Sequence, residues 1–454
     1  MRIVDQSAAA LAGLMTQGRL SPVEVVDAFL SRIARWDGKL HAFAEVYDTE
    51  ARAAAEAAHK AIRNGDAVGP LQGMPVALKD LIEIEGKTVS AGCTAWRRTS
   101  DRTAAIARNL AAHGCIVLGK THLVQFAIGG WGTNSDMGNP WNPWDLDIAL
   151  TPGGSSSGSA VAVAGGLVPW AVGTDTGGSI RIPAAWCGLT GLKTSEGVLD
   201  KTGVVPLSET LDTVGPMAMD AVDAGLLYRA MTGLPVGEEF LRPVKEPRIS
   251  ELRLACIAKT ERTYVDSEIA AAYDASLELL ASLGAEVTTL DLPWPLADLA
   301  QVSGTIMCRE AYAQFGQLVD NDELPLDPYS RAFVLRGRQI DQRSYDAALV
   351  KRKELQAGFR AALSGFDAFL TPTTQTGPVP LEGLDQRQTP SHFTRFANIL
   401  DLCAIALRDG STAKDLPTSL QIASLPGREE TVLRIARAYQ AETGWHRRRP
   451  QELD

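Results

Sequence analysis

The sequence predicts an α/β protein in which a sheet is covered on both faces by helices. Two observations support this prediction. Segments with the apolar spacing of helices alternate along the chain with short, continuous apolar segments typical of buried strands. In addition, no linker of low complexity, acidic tail or internal repeat divides the 454 residues cleanly. We therefore expect a single domain that spans residues 1–454.

The N-terminal part, residues 1–70, is predicted to be helical. Ser21-Pro22-Val23-Glu24 forms a capping box with proline at the first helical position, which predicts an amphipathic helix to about Ala34. An alanine-rich helical segment follows from Glu50 to Ile62. At the other end of the chain, Thr431 to Thr443 is predicted to form a closing helix, with Gly444 just beyond its end.

Buried strands are predicted at short segments in which apolar residues predominate. Four such segments stand out: Met74 to Leu78, Cys115 to Leu118, Leu252 to Ile257 and Phe366 to Leu370. A longer apolar stretch, Ala160 to Gly173, is predicted to form a buried helix followed by a buried strand.

This apolar stretch joins two glycine-serine loops, Gly153–Ser159 and Gly177–Ser179. Glycine allows positive φ and close backbone approach to a ligand, and serine supplies hydroxyls that can attack or relay a proton. A flexible linker is disfavoured because the residues between the loops belong to a core. A phosphate-binding loop is disfavoured because lysine follows neither glycine run. The two loops together predict a catalytic centre.

A serine nucleophile needs a base, and the sequence favours lysine over histidine. The six histidines are scattered, and Gly177-Gly178-Ser179-Ile180-Arg181 lacks the closing glycine of the nucleophile elbow. Lys79 follows the apolar segment Met74 to Leu78. Burial would lower the pKa of a lysine there and leave it neutral. The alternative, a solvated surface charge, stays open at this point.

Four motifs together resemble the amidase signature family in order and spacing: GMPVALKD with Lys79, PGGSSSGSA, GTDTGGSIRIPAAWCGLTGLK and LDTVGPMA. The resemblance is dense from about Leu71 to Ala218 and looser at Phe366 to Thr374 and Leu416 to Ile422. It implies one α/β/α domain with a large, mixed central sheet, and a catalytic core within residues 71–220.

Carried over position by position, the resemblance implies a Ser–Ser–Lys triad. Ser179 matches the nucleophile, Ser155 the relay serine after a cis peptide bond, and Lys79 the general base. Neutral Lys79 would take a proton from Ser155, which takes one from Ser179 as it attacks a carbonyl. Neither a cofactor nor a metal is expected.

Residues around the nucleophile are expected to assist. The candidate donors of an oxyanion hole are the backbone N–H groups of Thr176, Gly177, Gly178 and Ser179. Ser156 is expected to support the site by hydrogen bonding. For Asp175 and Arg181, a salt bridge that fixes the loop is favoured over a direct chemical role.

Three regions are candidates for shaping substrate choice. The first is Gly129 to Trp144, where Gly129, Gly130 and Trp131 could form an aromatic or acyl pocket, or where the tryptophans could simply pack inward. The second lies within residues 300–345, a candidate mobile cap. The third, Thr371 to Pro390, is proline-rich and could line the entrance.

Three positions depart from the usual family pattern. Gln125 stands where members often carry glutamate, Leu150 where a polar or basic residue is common, and Thr194 where proline is frequent. None belongs to the triad, so the reaction class is unaffected. They indicate a pocket tuned differently from that of the tRNA-linked members.

Composition favours a soluble, cytoplasmic enzyme. The net charge of −10 and the pI near 5.3 argue against a nucleic-acid surface. The six cysteines are widely spaced in apolar surroundings, as expected for buried free thiols in a reducing compartment. The chain shows neither an apolar run of transmembrane length nor a signal peptide, so no membrane association is expected.

The leading hypothesis is a stand-alone hydrolase of C–N bonds in neutral aryl or acyl amides, with esters and carbamates (a urethanase activity) as further substrates. Neutral substrates are predicted because no basic cluster surrounds the motifs. A glutaminase subunit of a tRNA-dependent amidotransferase is the alternative, and the intact triad disfavours a catalytically silent paralogue. The expected partners are a small-molecule amide and, as one option for assembly, a second copy in a homodimer.

Overall fold

The computed structural model describes residues 2–66, 69–241 and 248–453. Within these ranges the chain forms thirteen α-helices: α1 (Ala8–Thr16), α2 (Pro22–Leu40), α3 (Asp48–Asn64), α4 (Ala105–Ala112), α5 (Ser157–Ala164), α6 (Arg181–Cys187), α7 (Ala221–Met231), α8 (Ser267–Ser282), α9 (Leu299–Val319), α10 (Pro328–Gly337), α11 (Gln342–Ala362), α12 (Arg395–Ile399) and α13 (Glu429–Thr443).

The same ranges contain thirteen strands: β1 (Phe43–Val46), β2 (Pro75–Lys79), β3 (Thr88–Val89), β4 (Arg98–Thr99), β5 (Ile116–Thr121), β6 (Trp170–Asp175), β7 (Thr190–Lys193), β8 (Thr213–Ala218), β9 (Arg253–Ile257), β10 (Glu286–Leu290), β11 (Ala368–Pro372), β12 (Cys403–Ser411) and β13 (Pro417–Ser424). β3 and β4 pair with each other, and the other eleven form one sheet.

The large sheet is mixed. Its strand order is β1-β5-β2-β6-β8-β7-β12-β13-β11-β9-β10. β5, β2 and β6 are parallel to one another, as are β11, β9 and β10, while the strands between β6 and β11 pair in antiparallel fashion. The parallel strands require crossover connections, which α5 and α8 help to supply.

Helices cover the sheet on both faces. α5 packs on β2, β5 and β6, and α6 packs on β7, β12 and β13 and also against α5. α7 and α13 contact each other and lie against β8, β12 and β13. The predicted single α/β domain with a mixed central sheet is thereby confirmed.

The residues predicted to begin and end helices make the expected contacts at the start of α2 and at the end of α13. Ser21 Oγ accepts a hydrogen bond from the Glu24 N–H (3.1 Å), and the Ser21 N–H donates to Glu24 Oε2 (2.8 Å). This helix ends at Leu40 rather than near Ala34, because Leu40 is again a buried contact and left-handed His41 (φ 52°) follows it. α13 ends at Thr443, and the Gly444 that follows it is also left-handed (φ 66°).

The topology places both serine loops at one edge of the sheet. β2 and β6 are adjacent and parallel, so their carboxyl ends, Lys79 and Asp175, lie at the same edge. The second loop follows β6 directly. The first loop begins α5, which packs on β6 and feeds into it, so its start also lies at this edge.

All six cysteines are free and buried, as the sequence predicts. None of the helices within the described ranges combines the length and the hydropathy that a membrane span requires.

Candidate active site

Lys79 ends β2 and is fully buried. Its Nζ donates hydrogen bonds to Ser155 Oγ and to Thr174 Oγ1, each at 2.8 Å. Burial lowers the pKa of Lys79 to about 7, against the smaller opposing influence of the Asp212 and Asp175 carboxylates. The alternative of a solvated surface charge is therefore wrong, and the amine can be neutral near neutral pH.

Ser155 stands at the start of the first loop, where the Gly154–Ser155 peptide bond is cis. The side chain is fully buried. The loop is fixed by backbone contacts, since the Gly154 N–H donates to the Gly130 carbonyl (2.8 Å) and the Val124 N–H to the Ser155 carbonyl (3.2 Å). Gly153 has φ 77°, and a Cβ there would lie 2.7 Å from the Pro183 backbone. Glycine is thus required where the first loop passes the backbone of Ile182 and Pro183.

Ser179, in the second loop, is the member of the predicted triad with access to open space. It is 8% exposed and lines a cavity, whereas Lys79 and Ser155 are fully buried and do not line it. The Ser156 N–H donates to the Ser179 carbonyl at 3.2 Å, which joins the two loops. Ser156 Oγ donates to the Thr174 carbonyl (3.1 Å) and accepts from the Thr174 N–H (3.3 Å). Ser156 thus ties the first loop to β6.

Asp175 and Arg181 form a fully buried ion pair across the second loop. Arg181 Nε donates to Asp175 Oδ2 (3.0 Å) and Nη2 to Oδ1 (2.9 Å). Burial alone would raise the pKa of Asp175, but the Arg181 guanidinium holds it well below its usual range. The other Arg181 contacts are with Thr394, Asn398 and Gln421. Arg181 is therefore saturated by the protein and does not face the cavity.

The predicted set of oxyanion donors needs one correction. The Gly178 N–H already donates to Asp175 Oδ1 at 2.7 Å, so it is occupied by the ion pair. The N–H groups of Gly177 and Ser179 have no acceptor within the part of the chain that the structure describes. Gly178 serves the geometry instead, because its φ is 131° and a Cβ there would lie 2.2 Å from Thr394 Oγ1. The Thr176 N–H likewise has no acceptor among the described residues, and the Thr176 hydroxyl donates to Asp212 Oδ1 (2.5 Å).

A cavity of about 550 Å³ opens above Ser179. Its wall contains Gly129 and Gly130, as predicted, but the structure does not bring Trp131 to it. The Trp131 ring instead packs against Trp186 (centroids 5.3 Å apart), and its Nε1 donates to the Gln388 carbonyl (2.6 Å). The aromatic residues on the wall are Tyr329 and Phe333.

Residues 300–345 form much of the opposite wall, where Met307 of α9 and Phe333 of α10 face the cavity. Gln125 fixes this region to the core, because its Oε1 accepts from the Asp327 N–H (2.9 Å) just before α10. The sequence did not single out α10, although Asp327 followed by Pro328 is a helix-start signal.

The cavity wall also carries three arginines that the sequence reasoning missed: Arg336, Arg387 and Arg395. The premise that no basic cluster surrounds the site is therefore wrong. These residues lie more than 150 positions along the chain from Ser179, and only the fold brings them to it. No sequence motif that we analysed indicates this placement.

Comparison with known proteins identifies the class. The amidase family model matches residues 24–433, and the chain belongs to this family. An amidase of known structure superposes with a TM-score of 0.87 at 28% identity, covering 96% of this chain and 99% of that one. Peptide amidase from Stenotrophomonas maltophilia gives a TM-score of 0.84 at 27% identity, with 99% of each chain covered. The chain is thus an amidohydrolase.

The relatives found by sequence include enzymes with different activities. 2-Amino-5-chloromuconic acid deaminase of Comamonas testosteroni is 32% identical over 458 residues, which cover 98% of this chain and 97% of the relative. A glutamyl-tRNA(Gln) amidotransferase subunit of Thioalkalivibrio sulfidiphilus is also 32% identical, over 488 residues that cover 99% and 100%. Identity at this level shows the family for both and does not choose between their activities.

Proposed function

We propose that this protein is a stand-alone hydrolase of linear amides that works through Ser179, Ser155 and Lys79. The observation that carries the proposal is the hydrogen bond of 2.8 Å between Lys79 Nζ and Ser155 Oγ, in a site where burial lowers the pKa of Lys79 to about 7. A buried lysine with hydroxyl partners has the properties of a general base at neutral pH.

In the proposed reaction Ser179 Oγ attacks the amide carbonyl carbon. Its proton passes to Ser155 Oγ as Ser155 gives its own proton to Lys79 Nζ. The tetrahedral oxyanion accepts hydrogen bonds from the Gly177 and Ser179 N–H groups. The relay then runs in reverse, the leaving amine takes the proton as the C–N bond breaks, and water hydrolyses the acyl-Ser179 ester by the same route.

The apolar part of the cavity supports a substrate with an apolar or aromatic group. Ile128, Met307 and Phe333 line it, and a buried phenyl ring contributes about 25 cal/mol per Å² of apolar area. Esters and carbamates pass through the same kind of tetrahedral intermediate, so they belong in the substrate panel with neutral amides.

Active-site labelling tests the nucleophile. The purified protein is treated with a fluorophosphonate, and the modified peptide is identified by mass spectrometry. We expect the adduct on Ser179 and none in a Ser179→Ala variant, which should also lose amide turnover while keeping its melting temperature. An adduct on a different serine would overturn the assignment.

A glutaminase subunit of a tRNA-dependent amidotransferase is the second candidate, because the amidotransferase relative matches 99% of this chain at 32% identity. Gln125, where many members carry glutamate, argues for a different pocket. Turnover of aryl amides by the chain alone, with glutamine a poor substrate, would support the stand-alone enzyme. Glutamine hydrolysis that outpaces every aryl amide would support the amidotransferase role.

A further inference from the structure

Arg395 is a partly buried cation without an acidic partner. It begins α12 and lines the cavity together with Ser179. Its Nη2 donates to Ser391 Oγ (2.6 Å), and it forms no ion pair among the described residues. Burial lowers the pKa of the guanidinium, and the nearby Tyr329 opposes this shift. An arginine withdrawn from water without an anion carries an unrecovered desolvation cost.

The residue before Arg395 is hydrogen-bonded to the second loop, which carries Ser179, and to Arg181. The hydroxyl of the preceding residue, Thr394, donates to the Gly177 carbonyl at 2.7 Å, and the Thr394 carbonyl accepts from Arg181 Nη1 at the same distance. The segment that carries Arg395 is therefore fixed to the loop that carries Ser179. A group bound at Arg395 would have a defined position relative to the attacking oxygen.

The rest of the cavity wall reinforces the positive charge. None of the described residues that line it is acidic. Of the two other arginines, Arg336 lies over the Phe333 ring (4.7 Å to the centroid), and Arg387 is exposed and pairs with Asp385. Among the arginines of the wall, Arg395 is thus the least exposed, and within the described residues it forms neither an ion pair nor a cation–π contact.

We infer that the physiological substrate is an amide that bears a carboxylate, which Arg395 binds while Ser179 attacks the amide carbonyl. Arginine binds carboxylates through paired N–H donors with defined geometry, so it would set the register of the substrate as well as its affinity. The apolar wall between the two sites would hold the connecting part of the molecule. This inference rests on the proposed function and replaces the expectation of a neutral substrate.

Matched anilides test the inference. Succinanilate carries a carboxylate on the acyl side of the scissile bond, 4-butyramidobenzoate carries one on the amine side, and butyranilide carries none. For the unmodified enzyme we expect kcat/KM for one of the two anions to exceed that for butyranilide by about 10- to 100-fold, the range of hydrogen bonds to charged groups. Because the anion meets fixed positive charge, this preference should shrink as salt is added.

Substitutions then test whether Arg395 is the source of the preference for anionic substrates. Arg395→Met should reduce the ratio of anionic to neutral kcat/KM by about 10- to 100-fold. Arg395→Lys should restore part of it, since lysine keeps the charge but not the paired donors. Arg343→Met is the control, because Arg343 is exposed at the start of α11, away from the cavity wall, and its replacement removes the same charge. It should leave the ratio unchanged.

Binding separates this inference from the proposed chemistry. Titration calorimetry of the same three anilides with the Ser179→Ala variant needs no turnover, so a failure of the proposed mechanism would not affect it. Tighter binding of a carboxylate than of butyranilide, lost with Arg395→Met in the same background, supports the inference. Equal binding of anionic and neutral compounds, or an anion preference that survives Arg395→Met, overturns it.

Discussion

Two buried lysines on neighbouring strands show how this fold makes one of them a candidate base. Lys79 ends β2, and Lys120 lies on the parallel neighbour β5, where it is in register with Leu78. Both side chains are withdrawn from water, with exposures of 0% and 1%. Lys120 Nζ meets the Asp80 carboxylate at 2.7 Å, whereas Lys79 Nζ meets two hydroxyls.

Burial alone therefore does not define the function of a lysine. Burial disfavours the ammonium form of Lys79, whereas Lys120 has a carboxylate at hydrogen-bond distance, which is a large favourable interaction. Lys120 and Asp80 therefore form a structural ion pair, with Ser90 as a further donor to Asp80. Lys79 lacks such a partner, so its amine is free to exchange a proton with Ser155.

The largest expected effect comes from removing each lysine in turn. Lys79→Met should lower kcat by about 10²- to 10⁴-fold, the usual contribution of a general base, with a modest change in melting temperature. Lys120→Met should leave Asp80 as a buried unpaired charge and cost about 3–5 kcal/mol of stability. Kinetics and thermal melting of both variants check this. A Lys79→Met enzyme with near-native turnover at neutral pH would contradict the assignment of the base.

A carboxylate partner for Lys79, like the one that Lys120 has, should keep Lys79 protonated at neutral pH and so prevent it from acting as a base. In Thr174→Asp a carboxylate replaces the hydroxyl that Lys79 Nζ now contacts. An adjacent opposite charge would raise the pKa of Lys79 by about 1–3 units, so kcat at pH 7 should fall by about 10- to 10³-fold and recover in alkali. Thr174→Asn, of similar size but uncharged, is the control. Equal pH profiles for the two variants would refute the electrostatic explanation.

The pH dependence of the unmodified enzyme follows from the lowered pKa of Lys79. The active form is the unprotonated amine, so kcat/KM should rise from acid pH, pass its midpoint at about pH 7 and reach a plateau above it. Initial rates from pH 5 to 10 measure this rise in kcat/KM directly when butyranilide is the substrate, because its charge is constant in this range. A midpoint near the ordinary lysine value of 10.5 would show that the amine is not desolvated in solution.

The smallest effect is expected from Thr174→Val. This change keeps the side-chain shape but removes one of the two hydroxyls that hold Lys79 Nζ. Loss of one hydrogen bond should reduce kcat by about two- to tenfold. The more apolar surroundings should move the acid limb of the profile to a pH below that of the unmodified enzyme. An acid limb that moves toward alkaline pH would contradict this account.

The class of fold could be predicted from the sequence alone, and the sequence also named candidates for the site. Alternating helical and strand periodicities predict the covered sheet, and local signals such as the Ser21–Glu24 capping box place helix ends within a few residues. Lys79, Ser155 and Ser179 could be named because each lies in a motif whose chemistry is local: an apolar strand end or a glycine-serine loop. Family resemblance supplied the roles.

Only the tertiary structure decided which partners these residues have. The sequence marks the apolar strand before Lys79 but not that its amine meets Thr174 rather than a carboxylate. It also predicted Gly178 as an oxyanion donor, although Asp175 takes that N–H.

The same holds for the cavity wall. The sequence suggested Trp131 for it, but the fold places Trp131 against Trp186 and brings Arg395 to the cavity instead. The physical reason is that charge pairing and cavity lining depend on contacts between segments far apart in the chain. Periodicity and local motifs carry no information about such contacts.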